Sequence, residues 1–119
     1  MNVSNSKDQV LLNLMSASSL RYRVLTNNLV NQNTPGYTRQ TVQFEDLLAK
    51  ELESSSPDLR SVEPAIVDDE FTPATPDGNN VNVELELNGL QQNRLQYELY
   101  STIIAGRAEL MRSAIQEGR

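Results

Sequence analysis

Between residues 83 and 115 the chain advances in alternating steps of four and three: Val83, Leu87, Leu90, Arg94, Tyr97, Ser101, Ile104, Ala108, Met111 and Ile115, with polar side chains only at Arg94 and Ser101. Residues so spaced share one side of an α-helix, and over five heptads they form a seam for another helix. The predicted helix, about residues 82–117, would be roughly 54 Å long, which is long for a chain of 119 residues. Asn79, Asn80 and Asn82 offer side-chain oxygens to cap its start, and Glu84 and Glu86 suit the positive end of its dipole. Gly89 and Gly106 lie inside it, each costing about 1 kcal/mol relative to alanine. Close approach by a neighbouring helix would explain such a residue.

A second seam precedes it. Leu11, Met15, Ser18, Tyr22, Leu25 and Leu29 keep the same alternation, and Val10, Leu14, Ala17 and Val24 widen the stripe. A helix over about residues 8–32, roughly 38 Å long, is predicted, although many amphipathic helices of this kind merely line a globular core. Asn27, Asn28, Asn31 and Asn33 break up its last turns, because asparagine side chains compete for backbone hydrogen bonds. Pro35 pushes Thr34 out of the helical region, and Gly36 can take the positive φ of a type II turn. Tyr37 is expected to leave that turn pointing outward at a fixed angle.

Between the seams, Thr38 to Phe44 alternate loosely, with Val42 and Phe44 on one side, and predict a short extended piece; Glu45 to Leu52 predict two helical turns. From Glu53 the composition shifts to proline, serine and acidic residues, which reads as a flexible, solvated insertion. Val62, Ala65, Ile66, Val67 and Phe71 suggest one or two short strands within it. Asp68-Asp69-Glu70 reads as solvated surface.

Composition narrows the functions available. The chain has no cysteine and no histidine, which excludes disulfides, zinc sites built from those residues, thiol nucleophiles and histidine acid–base chemistry. A hydrophobic fraction of 38% without tryptophan implies a thin core. Net charge is +2 over residues 1–50, −7 over 51–81 and −1 over 82–119, so the acidic middle would repel nucleic acid. No signal-peptide core and no transmembrane run is apparent. Asp77-Gly78-Asn79-Asn80 lacks the glycine position and the acidic twelfth residue of a calcium loop. Glu84 and Glu86 diverge on a helix and make a poor catalytic pair. No cofactor, metal, small-molecule substrate or enzymatic activity is therefore expected. The two seams offer more apolar surface than one helix pair can hide, and charges along the second helix disfavour lipid. What remains is helical self-association or assembly with other proteins.

Asn27-Asn28-Leu29-Val30-Asn31-Gln32-Asn33-Thr34-Pro35-Gly36-Tyr37 resembles the N-terminal signature of bacterial flagellar axial proteins, the rod, hook and hook-junction subunits. Asp77-Gly78-Asn79-Asn80-Val81-Asn82, followed by Asn93, Tyr97 and Arg112-Ser113-Ala114-Ile115, resembles the C-terminal signature of the proximal rod family FlgB. The two matches take in roughly residues 8–48 and 77–116. The chain departs from the family at Asn82, where aspartate is commoner, and at Leu87, where methionine is common. The resemblance implies a structural subunit of the flagellar basal-body proximal rod, exported uncleaved through the flagellar type III apparatus into a periplasm-spanning, torque-transmitting structure. It implies other rod subunits, further copies of itself, the rod–ring adaptor and the export gate as partners. The alternatives are another flagellar axial subunit, or a cytosolic helical adaptor or export chaperone.

The expected fold is mainly α: two long terminal helices in an antiparallel, coiled-coil-like hairpin, joined by a flexible middle with room for a short β-hairpin. Residues 1–32 and 82–119 are the expected axial assembly segments, and 33–81 the turn and the Pro/acidic-rich middle. The expected interaction residues are Leu11, Met15, Tyr22, Leu25, Asn28 and Leu29 on the first helix, and Asn31, Asn33, Thr34, Pro35, Gly36 and Tyr37 around the turn. Asp77, Gly78, Asn79, Asn80 and Val81 lead into the second helix, which contributes Leu87, Leu90, Asn93, Tyr97, Ile104, Met111 and Ile115.

Overall fold

The computed structural model describes residues 3–118, with side chains described from Lys7 onward. Its elements run α1 (Val3–Val30), β1 (Gln40–Gln43), α2 (Glu45–Leu52), a 3₁₀ turn (Leu59–Ser61), β2 (Ala65–Asp68) and α3 (Val83–Glu117). The fold is mainly helical, with a long C-terminal helix and a two-stranded antiparallel sheet. α1 starts five residues before the predicted boundary and stops two before it. The side-chain amide of Asn31 donates to Asn27 O at 2.8 Å, closer than its own backbone N at 3.2 Å, so an asparagine side chain competes for a carbonyl at the helix end. α3 begins where expected, because Asn82 is its N-cap and accepts from Leu85 N at 3.2 Å.

Contacts between the long helices step in opposite directions along the two of them. Asn28 meets Glu86, a Cβ at Gly89 would lie 3.3 Å from Leu25, Asn93 meets Ser18 and Arg107 meets Asp8. The face that α3 turns toward α1 is one position out of phase with the predicted seam. Glu86 and Asn93 are buried on it and Leu90 and Ile104 half-buried, whereas Leu87, Tyr97, Met111 and Ile115 are exposed. On α1 the predicted stripe keeps its phase: Ser18 and Leu25 of the seam and Ala17 and Val24 of its flank are buried beside Asn28, and of the seam residues Tyr22 is exposed. Polar side chains hydrogen-bond across this crossing, so hydrophobicity alone mis-phased it. Gly89 is present because α1 approaches there; a Cβ at Gly106 would meet nothing within 4 Å among the described residues.

The crossing is imperfectly satisfied. Asn93 Nδ2 donates to Ser18 O at 2.8 Å, yet Asn93 Oδ1 and Ser18 Oγ are buried without a hydrogen-bond partner among the described residues. An unsatisfied buried polar atom costs about 1–3 kcal/mol. Asn93→Leu is therefore expected to stabilise the isolated chain by about 1 kcal/mol, read as a higher urea midpoint. A lower midpoint would show that the bond to Ser18 outweighs the orphaned oxygen.

The middle is more ordered than its composition suggests. Val42 and Phe44 point to one side, as their alternation predicted, and are buried at 8% and 0% exposure. They pin β1 against α1, and Arg21 fixes the start of α2 by an ion pair to Glu45 at 2.8 Å. β2 does not form a hairpin within the insertion. It reaches back to pair antiparallel with β1 in the register Gln40↔Asp68, Thr41↔Val67, Val42↔Ile66 and Gln43↔Ala65. Residues 53–58 are exposed as expected, but Asp69, read as solvated surface, is largely enclosed, and Phe71 lies outside β2 and is 96% exposed. The result is a slab of 68 × 32 × 14 Å with a radius of gyration of 18.3 Å, against about 13.5 Å for a compact domain of this length. Among the described residues no helix is long and apolar enough to cross a membrane.

Candidate functional site

The asparagines that end α1 act as backbone partners. Asn28 is fully buried. Its Nδ2 donates to Gln40 O at 2.8 Å and to Glu86 Oε2 at 3.1 Å, while its Oδ1 accepts from Gln40 N at 2.9 Å and the Tyr37 hydroxyl at 3.2 Å. A helical side chain thus pairs with Gln40 as a neighbouring strand would. Tyr37 does not project outward as expected. It folds back over α1, where its hydroxyl also accepts from Asn27 Nδ2 at 3.1 Å, because two polar groups at the helix end capture it.

The turn itself matches its sequence. Gly36 has φ +74° and Tyr37 N donates to Thr34 O at 3.2 Å, the type II arrangement. It docks directly on the segment that leads into α3. Gly36 N donates to Asp77 O at 2.9 Å, and Gly78, at φ +87°, lies so close that a Cβ there would be 3.3 Å from Gly36 Cα. Asn79 Nδ2 donates to both Asn31 O and Thr34 O at 2.8 Å, and its Oδ1 accepts from Val81 N at 2.8 Å. Asn80 Oδ1 accepts from Arg39 N at 2.6 Å while its Nδ2 donates to Asp69 O at 2.6 Å. These loops have little regular pairing of their own, and buried asparagine amides satisfy their backbone instead.

A buried ion cluster closes the arrangement. Arg39 Nε donates to Glu86 Oε1 at 2.6 Å and its Nη2 to Glu86 Oε2 at 3.2 Å, a bidentate fork, while Nη1 binds Asp69. The side chains of Arg39 and Glu86 are 7% and 0% exposed. Burial pulls the Arg39 guanidinium down, but hydrogen bonds and charge from Glu86 and Asp69 outweigh it and hold the pKa above its ordinary value. Asp69 is held far below the usual carboxylate range, first by the Thr72 hydroxyl at 2.6 Å, then by Phe71 N and Arg39, against the opposing effect of burial. Asp77, exposed, is lowered by the Thr75 hydroxyl and Asn79 N.

A carboxyl depressed on folding contributes stability that is complete above its unfolded pKa and disappears as pH falls through the folded one. The Asp69 contribution should therefore be constant from pH 5 to 8 and decline below about pH 4. Denaturant midpoints measured against pH should fall on the acid side, and less steeply in Asp69→Asn. An equal acid slope in that variant would remove Asp69 as the cause.

Of the predicted interaction residues, Leu25, Asn28, Asn79, Asn80 and Asn93 are buried, and Leu11, Met15, Leu29, Asn31, Tyr37, Val81, Leu90 and Ile104 half-buried. Tyr22, Asn33, Thr34, Pro35, Gly36, Asp77, Gly78, Leu87, Tyr97, Met111 and Ile115 are exposed. The structure brings the two asparagine-rich segments together in one clasp. Sequence reasoning missed Arg39, Asp69 and Glu86 at its centre. The available signal was Arg39, placed in an extended segment just after the turn.

No protein-family model matches the chain. The flagellar basal body rod protein FlgB of Bacillus subtilis is 30% identical over 121 residues, which take in 93% of this chain and 94% of that protein. The chain belongs to the FlgB family. FlgB of Borreliella burgdorferi is 30% identical over 106 residues, 73% of this chain and 78% of its own, and FlgB of Escherichia coli is 27% identical over 82% and 84%. A shorter match, 44% over 39 residues, links 33% of the chain to 15% of the flagellar basal-body rod protein FlgG of Caulobacter vibrioides. FlgB-family membership accords with the N- and C-terminal signatures that the clasp joins.

Proposed function

We propose that this FlgB-family chain is a structural subunit of the proximal flagellar rod, joined to other rod subunits and to further copies of itself through residues 1–32 and 82–119. The observation that carries this reading is the run of large apolar residues left uncovered on α3, including Leu87 at 53%, Leu95 at 61%, Leu99 at 56%, Leu110 at 72% and Ile115 at 65% exposure. Large apolar side chains left bare in such number on one element mark it as a contact surface. α1 and α3 act as an antiparallel, coiled-coil-like pair presented to neighbours, and the clasp fixes where the chain leaves that pair. The acidic middle packs outward or reaches a neighbour. The rod–ring adaptor and the export gate are the further partners, and the subunit reaches the periplasm without a cleaved signal. Contact surfaces carry the role, with no catalytic chemistry and no cofactor.

The test is fractionation of a flagellated cell making a tagged chain. The protein should co-purify with detergent-extracted basal bodies, and removal of either α1 or α3 should abolish swimming. Recovery solely in the cytosolic supernatant would overturn the reading.

A further inference from the structure

The two sides of the helix pair differ in shape. On one side, between α1 and α3, lies an open groove of about 1010 Å³ with Tyr22, Leu90, Arg94 and Tyr97 along it. On α3, Leu95, Leu99, Ile103 and Leu110 recur at steps of four, four and seven, all exposed. At about 100° per residue they form a ridge roughly opposite the groove-lining Leu90, Arg94 and Tyr97. Gly106 completes the ridge, and a Cβ there would meet nothing within 4 Å among the described residues.

We propose that the groove of one copy receives the α3 ridge of the next copy, with Gly106 at the point of closest backbone approach. The occupant follows from three features of the chain. Ridge and groove are both linear and run along the same helix, so the ridge has the shape the groove admits. They face roughly opposite ways, so copies in one orientation can join side by side, a heterologous contact that repeats into rings or helices without pairing off as a closed dimer. The ridge offers about five residues, against about 20–30 a side in a stable two-protein interface, so it does not hold an isolated pair and acts where each copy has neighbours on both sides. This inference rests on the rod-subunit reading and specifies its self-contact.

The chain lacks cysteine, so introduced thiols report cleanly. In flagellated cells, Tyr22→Cys in the groove and Leu99→Cys on the ridge, combined in one chain, should give a disulfide ladder of dimers and larger species in isolated basal bodies. Mixed single variants should give only the heterologous dimer. Strong self-cross-linking of Leu99→Cys alone would mean ridge meets ridge and would overturn the proposal. So would basal bodies with the normal amount of protein and no cross-link. If the chain is absent from basal bodies, the rod reading itself fails first and the proposal with it. As a second arm, Gly106→Leu should leave the monomer's thermal transition unchanged or higher while lowering basal-body incorporation at least tenfold. Normal incorporation of that variant would remove Gly106 from the contact.

Discussion

Glu86→Ala should cost the isolated chain about 3–5 kcal/mol, the largest loss expected of any single change outside the apolar core. Glu86 makes two hydrogen bonds to the Arg39 guanidinium and accepts a third from Asn28 Nδ2. Removing it leaves a cation, 7% exposed, with Asp69 as its one remaining carboxylate partner among the described residues. Domains of this size are stable by about 5–15 kcal/mol in total, so the urea midpoint should fall by about a fifth or more. Glu84→Ala, two residues away and exposed, should shift it by less than about 0.5 kcal/mol. Arg39→Met combined with Glu86→Leu should recover much of the loss, because no unpaired charge is then buried. A Glu86→Ala cost below about 1 kcal/mol would show that water screens the pair despite its burial.

Gly78→Val should rank next, and should cost more than Gly36→Val. Both glycines have positive φ, where a non-glycine residue is strained by about 1–3 kcal/mol. At Gly36 the added side chain meets open space, whereas at Gly78 its Cβ would sit 3.3 Å from the Gly36 backbone. Backbone cannot swing aside as a side-chain tip can, so strain and crowding add at Gly78 alone. Thermal midpoints of the two variants measure the difference, which at roughly 4 °C per kcal/mol should be plain. In cells Gly36→Val should be exported but assembled poorly, since it disturbs turn geometry and leaves the helices intact. Equal midpoints for the two variants, or normal motility in Gly36→Val, would count against the docked turn as the controlling element.

What could be read from the sequence was what neighbours along the chain decide. The type II turn at Pro35-Gly36, the inward pair Val42 and Phe44, the short helix from Glu45 and the Asn82 cap each depend on a few consecutive residues, and each formed. The pairing of Arg39 with Glu86 spans 47 residues, and nothing local announces it. Glu86 was assigned to the helix dipole because its neighbours permit that role equally well. The α3 repeat gave the right period with the wrong phase, since Glu86 and Asn93 occupy the buried side through hydrogen bonds that a hydrophobicity pattern cannot weigh. Tyr37 went astray for the same reason: its direction depends on Asn27 and Asn28, ten and nine residues earlier.

A body 14 Å deep is little thicker than one helix with its side chains, about 10–12 Å. Such a plate encloses only a narrow strip of side chains around Phe44, Asn28 and Glu86. A wall made from these plates would acquire the rest of its dry interior when one plate is laid against another, so much of the cohesion of the finished tube would reside in its joints. Damage to a joint would then cost a cell far more than the same damage costs the solitary chain.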